Sequence, residues 1–117
     1  MSWALKAIDS REFGRALDYL DRVLIMKPDY AEGFNKRATV FYLMDDYAKS
    51  LADIEQVLAL EPRHFGALSG LGMILGEIGE EQQAIDVFRQ ALEGDPLLDN
   101  VREALKDLEE TTAGSDI

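Results

Sequence analysis

Arg22-Val-Leu-Ile-Met-Lys-Pro28, Gln56-Val-Leu-Ala-Leu-Glu-Pro62 and Gln90-Ala-Leu-Glu-Gly-Asp-Pro96 are three versions of one segment. Their prolines are the only three in the chain and stand 34 residues apart. Further back, Phe13-Gly-Arg-Ala-Leu17, Tyr47-Ala-Lys-Ser-Leu51 and Glu81-Gln-Gln-Ala-Ile85 hold the same register. Small residues recur at Ala4, Ala38 and Gly72, at Ala16, Ser50 and Ala84, and at Val23, Val57 and Ala91. Large apolar residues recur at Leu20, Ile54 and Phe88, at Leu24, Leu58 and Leu92, and at Phe34 and Leu68.

Between these landmarks the apolar spacing is helical. It predicts helices over 31–44 (Phe34, Ala38, Phe41, Tyr42), 47–60 (Leu51, Ile54, Val57, Leu58, Leu60), 65–78 (Leu68, Leu71, Gly72, Leu75) and 81–93 (Ile85, Phe88, Ala91, Leu92). Polar breaks separate them at Asp45-Asp46, Glu61-Pro62-Arg63 and Gly79-Glu80. Each proline ends a second helix, because it donates no hydrogen bond and drives the residue before it out of the helical region. The small residues fall where two helices cross, and a short side chain lets the backbones approach. No alternating strand pattern occurs, so the fold class is all-α.

A 34-residue helix-turn-helix unit with these landmarks resembles the tetratricopeptide repeat (TPR). The signature fits at Phe34, Ala38, Phe41, Ser50, Ile54 and Pro62, and again at Leu68, Leu71, Gly72, Leu75, Ala84, Phe88 and Pro96. Arg37 stands where the family usually has leucine, and Ser50 where it usually has alanine. The resemblance covers roughly residues 1–98. It implies a solenoid of antiparallel helix hairpins forming one domain over 1–110: an incomplete first repeat over about 1–30, repeats over 31–64 and 65–98, and a capping helix over 97–110. Residues 111–117 read as a flexible tail. Met1 falls at the fifth position of the repeat, so the opening helix lacks its first turn, as expected of a segment of a longer protein; Trp3, Ala4 and Ala7 still fit its packing face. The capping helix places Val101, Leu105 and Leu108 on one side and charged residues on the rest.

Twenty-three acidic against twelve basic residues give a net charge of -11. That surface repels phosphate backbones and anionic lipid and disfavours nucleic acid as a partner. No apolar run is long enough to insert into a membrane. With no cysteine, disulfides and thiolate zinc sites are excluded. Charge is graded along the chain: residues 1–30 carry five basic and five acidic side chains, residues 65–98 one and six. An acidic end that selects a basic partner segment and a solvated, solubilising face are both consistent with this gradient.

No catalytic set is legible. His64, the only histidine, sits in the hinge Pro62-Arg63-His64-Phe65 without a recognisable nucleophile or orienting group, and reads as a loop residue stacking on the next helix. Asp45-Asp46 and Glu80-Glu81 lack the ligand ladder of a calcium loop and suit helix starts. The glycines 66, 70, 72, 76 and 79 are not a phosphate loop, since no Lys-Ser or Lys-Thr follows. No cofactor or metal is expected.

The resemblance implies a non-catalytic scaffold that binds a peptide or helix of a partner protein in a concave groove made by the first helix of each hairpin. The alternative is self-association into a homo-oligomer through an open solenoid end or the groove. The groove-lining candidates are Leu5 and Ile8 in the first repeat; Asn35, Lys36, Thr39, Tyr42 and Leu43 in the second; and Ser69, Gly70, Met73, Gly76 and Glu77 in the third. Gly66 belongs to the same side. Lys36 is the one lysine of this set, which disfavours the clamp with which some family members hold a terminal carboxylate. The three helix glycines give either a shallow floor for close approach of a ligand or positions that neighbouring hairpins hold helical anyway. The stretches 28–38 and 62–72 also resemble a group of bacterial TPR proteins, several of them exported. That likeness implies a location beyond the inner membrane if a signal peptide precedes the segment, and the cytoplasm otherwise.

Overall fold

The computed structural model describes residues 10–115, with side chains described from Glu12 to Glu110. Six helices and no strand occupy the described residues: α1 (Ser10–Met26), α2 (Ala31–Leu43), α3 (Tyr47–Leu60), α4 (Phe65–Glu77), α5 (Glu81–Gly94) and α6 (Asp99–Ser115). The chain divides at Glu61 and Pro62 into two compact units, one holding α1–α3 and the other α4–α6.

The 34-residue register holds down to single hydrogen bonds. Each helix before a proline ends with the same bond: the N–H groups of Lys27, Glu61 and Asp95 donate to the carbonyls of Val23, Val57 and Ala91, at 2.8, 2.7 and 3.0 Å. The turns inside the two hairpins also match. Asp45 (φ 61°) and Gly79 (φ 88°) occupy the left-handed region. In the first turn Asp46 donates to the Phe41 carbonyl (2.9 Å) and Asp45 to that of Tyr42 (2.9 Å). In the second, Glu80 donates to Leu75 (2.8 Å) and Gly79 to Gly76 (3.2 Å). This double bond pattern satisfies the last carbonyls of α2 and α4 and needs one left-handed residue, which costs glycine nothing and aspartate little.

In the first unit, Phe13, Ala16 and Leu20 of α1 cluster with Val40 of α2, and Leu17 packs against them. Gly33 admits Leu24, whose Cδ2 would lie 3.0 Å from a Cβ built there. The two departures from the family pattern are both structural. Ser50, buried on α3, donates its hydroxyl to the Ala38 carbonyl of α2 at 2.7 Å. Arg37 of α2 forks onto Asp53 of α3, with Nε to Oδ2 at 2.9 Å and Nη2 to Oδ1 at 2.8 Å, and donates Nη1 to Asp21 of α1 at 3.0 Å. The corresponding repeat positions in the second unit are Leu71 and Val87. A bidentate ion pair thus stands in the first hairpin where an apolar pair stands in the second.

In the second unit the crossing of α4 and α5 is set by Gly72, where any Cβ would fall within the van der Waals envelope of the Phe88 ring. Phe88 is 2% exposed, and burial of a side chain this size contributes about 1.5–3 kcal/mol. Gly94 similarly lies under the Phe65 ring with no room for a side chain, a close approach the sequence pattern does not single out. Val101 anchors α6 and is fully buried.

α6 departs from its expected range at both ends. It begins at Asp99 rather than 97, because Asp95 holds the intervening residues in a turn: its Oδ1 accepts from the Leu97 N–H (3.1 Å) and its carbonyl from that of Leu98 (3.4 Å). It runs on to Ser115, through residues expected as tail, since no proline interrupts residues 99–115. Trp3, Ala4 and Ala7, expected on the packing face of the opening helix, lie outside the described residues.

Candidate functional site

The five α2 candidates fall at i, i+1, i+4, i+7 and i+8, one face of a helix. That face points away from the buried Ala38 and Val40. Thr39 and Leu43 are exposed; Asn35, Lys36 and Tyr42 are half-buried. Thr39 donates its hydroxyl to the Asn35 carbonyl at 3.0 Å. The Tyr42 ring lies 5.6 Å from that of Tyr47 across the hairpin turn, tilted by 42°. Lys36 forms no ion pair among the described residues.

The α4 candidates repeat the same offsets 34 residues on and point away from Leu68, Gly72 and Ile74. Ser69, Gly70 and Gly76 are half-buried, Glu77 is exposed, and Met73 is 45% exposed. Gly66, on the same side one turn earlier, is exposed. A Cβ at Gly76 would meet nothing within 4 Å, so that glycine borders open space, whereas Gly72 borders a ring. The remaining two candidates, Leu5 and Ile8, lie outside the described residues.

The residues weighed for chemistry are engaged in shaping helices. His64 was expected to stack on α4 as a loop residue. It caps that helix, its Nδ1 accepting from the Ala67 N–H at 3.0 Å. Asp46 caps α3 by accepting from the Lys49 N–H at 3.3 Å. Glu80 opens α5 and accepts from the Gln83 amide at 3.4 Å. No group of three or more His, Cys, Asp or Glu able to hold a metal ion occurs among the described residues, and none of their helices is long and apolar enough to cross a membrane.

The fold perturbs the protonation of Arg37 strongly. Its hydrogen bonds to Asp53 above all, and then to Asp21, raise the guanidinium pKa further above its ordinary value, against the opposing pull of burial. Sequence reading recognises Arg37 as a departure but misses its partner. The available signal was Asp53, a charged residue directly before Ile54 on the inward side of α3.

The sequence model of the tetratricopeptide repeat family matches residues 35–99. Over 115 residues the chain is 44% identical to a TPR repeat-containing protein of Rhizobium etli, an alignment covering 98% of this chain and 56% of that protein. The chain therefore spans just over half of that relative's length. Among solved structures, the first TPR of Spaghetti bound to an HSP90 peptide, SRMEEVD, superposes with a TM-score of 0.83 at 17% identity, covering 96% of this chain and 89% of that one. The Sgt2 TPR domain from Aspergillus fumigatus superposes with a TM-score of 0.83 at 19% identity, covering 98% of this chain and 78% of that one. At such identities the structural likeness bears on the fold. The family match spans more than half of the sequence and coincides with the hairpins α2–α3 and α4–α5, and the chain belongs to the tetratricopeptide repeat family.

Proposed function

We propose that this chain is a non-catalytic interaction scaffold that binds a peptide or helix of a partner protein through the exposed faces of α2 and α4. The observation that carries this reading is positional. Thr39 and Met73 occupy the same repeat position, and both are exposed. Their neighbours on each face offer mixed chemistry: amide, ammonium, hydroxyl and aromatic on α2, bare backbone and thioether on α4. A face built to solubilise the protein would carry mostly charges. The presence of a bound peptide on the first TPR of Spaghetti supports the reading. His64, Asp46 and Glu80 stand at helix starts, which supports the non-catalytic reading.

The test is affinity capture with the wild-type protein and with Tyr42→Ala/Met73→Ala, bound proteins being quantified by mass spectrometry. A polypeptide captured by wild type and depleted with the variant supports the proposal. An identical capture profile refutes it. Gly70→Ala and Gly76→Ala sharpen the test: a ligand lying close to the α4 backbone loses affinity although the helix gains stability.

One observation favours self-association as a second reading. Tyr19, Ile25 and Met26 of α1 are 67%, 79% and 81% exposed, unusual for residues of that size. Sedimentation across a concentration series decides it, and a strict monomer at every concentration refutes it.

A further inference from the structure

Arg15, Tyr19, Arg22 and Met26 of α1 fall at i, i+4, i+7 and i+11, a single stripe of the helix, and Asp18 and Ile25 run along its edge. The inward side of α1 carries Phe13, Ala16, Leu20 and Leu24 instead. All six residues of the stripe and its edge are exposed. Tyr19 holds the repeat position of Asp53 on α3 and Val87 on α5. Asp53 is buried and Val87 half-buried, so this is a position that packs, and on α1 a tyrosine stands there 67% exposed.

The charges along the stripe are open as well. Arg15, Asp18 and Arg22 form no ion pair among the described residues. Asp21, the next acid of α1, is held by Arg37. The 4-3-4 spacing is that of the seam between two coiled helices. Read in reverse, the stripe complements itself. Laid antiparallel on α1 of a second copy, Tyr19 meets Arg22 and Arg15 meets Met26, each contact occurring twice. The guanidinium of Arg22 then lies against the Tyr19 ring of the second copy, a favourable cation–π contact, and within reach of its Asp18. A parallel arrangement would set Arg15 on Arg15 and Arg22 on Arg22, like charge on like.

We infer that this chain forms a two-fold dimer through antiparallel contact of α1 with α1 of a second copy, layered by Tyr19–Arg22 and Arg15–Met26 and flanked by reciprocal Asp18–Arg22 ion pairs. The inference rests on the self-association reading given above and adds the surface, its direction and its residue pairs. An interface of this kind is isologous and closes at two copies. One helix face per copy is a small contact, so the dimer is weak and its population rises with concentration.

Sedimentation of the full chain across a concentration series measures the dimer, and a charge swap identifies the surface. Arg22→Asp sets acid against Asp18 of the second copy, and Asp18→Arg sets base against its Arg22; each weakens the dimer by about tenfold. Asp18→Arg/Arg22→Asp re-forms the pair with its signs exchanged and returns the affinity to within about threefold of wild type. Net charge alone predicts a different pattern, since Asp18→Arg lowers the net charge of -11 and would strengthen association. The chain has no cysteine, so oxidation of a mixture of Arg15→Cys and Met26→Cys chains traps the direction. The mixed disulfide forms, and neither variant alone links to itself, because each cysteine lies about 16.5 Å along the seam from its own copy. A dimer indifferent to both charge reversals, or one that Arg15→Cys alone cross-links, overturns the inference while self-association stands. A strict monomer at every concentration overturns both; loss of stability in Tyr19→Ala would then assign the cover of this face to residues 1–9 of the same chain.

Discussion

Glycine-to-alanine exchange at two positions of α4, four residues apart, is expected to stabilise the protein at one and not at the other. In an exposed helix interior the exchange stabilises by about 1 kcal/mol, because alanine loses less backbone entropy on folding. Gly76, in the last turn of α4, has room for the added methyl: its Cβ would enter open space. At Gly72 the same methyl would land against the Phe88 ring, with Cδ1 at 2.6 Å and Cζ at 2.9 Å. Real contacts of this kind are about 3.5–4.0 Å, so ring or helix must move by roughly an ångström. Phe88 is 2% exposed and cannot swing into solvent. Overpacking of a closed core costs about 1–3 kcal/mol, which offsets the entropy gain and leaves Gly72→Ala neutral to destabilised by about 2 kcal/mol. The two variants should differ by about 1–3 kcal/mol, read as displaced urea midpoints with unchanged slope. Gly72→Leu should lie below Gly72→Ala. If Gly72→Ala stabilises as much as Gly76→Ala, the ring does not sit on α4 at Gly72 and the repeat register is wrong.

Arg37→Leu strands the buried Asp53 carboxylate and should cost about 3 kcal/mol, whereas Arg37→Leu/Asp53→Val, which installs the residues of the second hairpin, should recover most of the loss in chemical denaturation. Because Arg37 is raised above an already high pKa, its contribution is fully present below its ordinary pKa and is lost only at extreme alkalinity, so no step from this arginine should appear in stability between neutral and mildly alkaline pH. His64→Ala removes the α4 cap and should lower stability by about 1 kcal/mol, with His64→Asn restoring most of it in the same assay. Asp45→Gly, at φ 61°, should leave stability within about 0.5 kcal/mol of wild type in the same assay, since aspartate already tolerates the left-handed region.

The hairpins are legible in sequence because their determinants are local and repeated. Proline spacing, apolar period and crossing residues such as Ala38 and Gly72 all point the same way, and the four predicted helices end within one residue of the structure. What escapes the sequence depends on pairs of residues distant in the chain. Arg37 and Asp53 each look like an isolated defect in an apolar stripe, and only the α2–α3 crossing makes them a pair. Gly94 is inconspicuous until Phe65 is found above it. His64 resembles a loop residue because histidine is not a common N-cap, and its Nδ1 acceptor role depends on a side-chain rotamer that composition does not encode. For the candidate face, helical periodicity fixes which residues of α2 and α4 lie together, but not how exposed each of them is.

Site-specific photo-crosslinking in the living cell reveals whatever polypeptide lies on the exposed faces of α2 and α4, because the adduct itself carries it. A photoreactive amino acid is placed at Thr39 or at Met73, on the exposed faces of α2 and α4, and for comparison at Glu55 of α3 or Asp86 of α5, both exposed on the second helices. The account predicts a discrete adduct with a second polypeptide from Thr39 and from Met73, and none from Glu55 or Asp86. Adducts formed only from Glu55 or Asp86, or no adduct from either Thr39 or Met73, would contradict it.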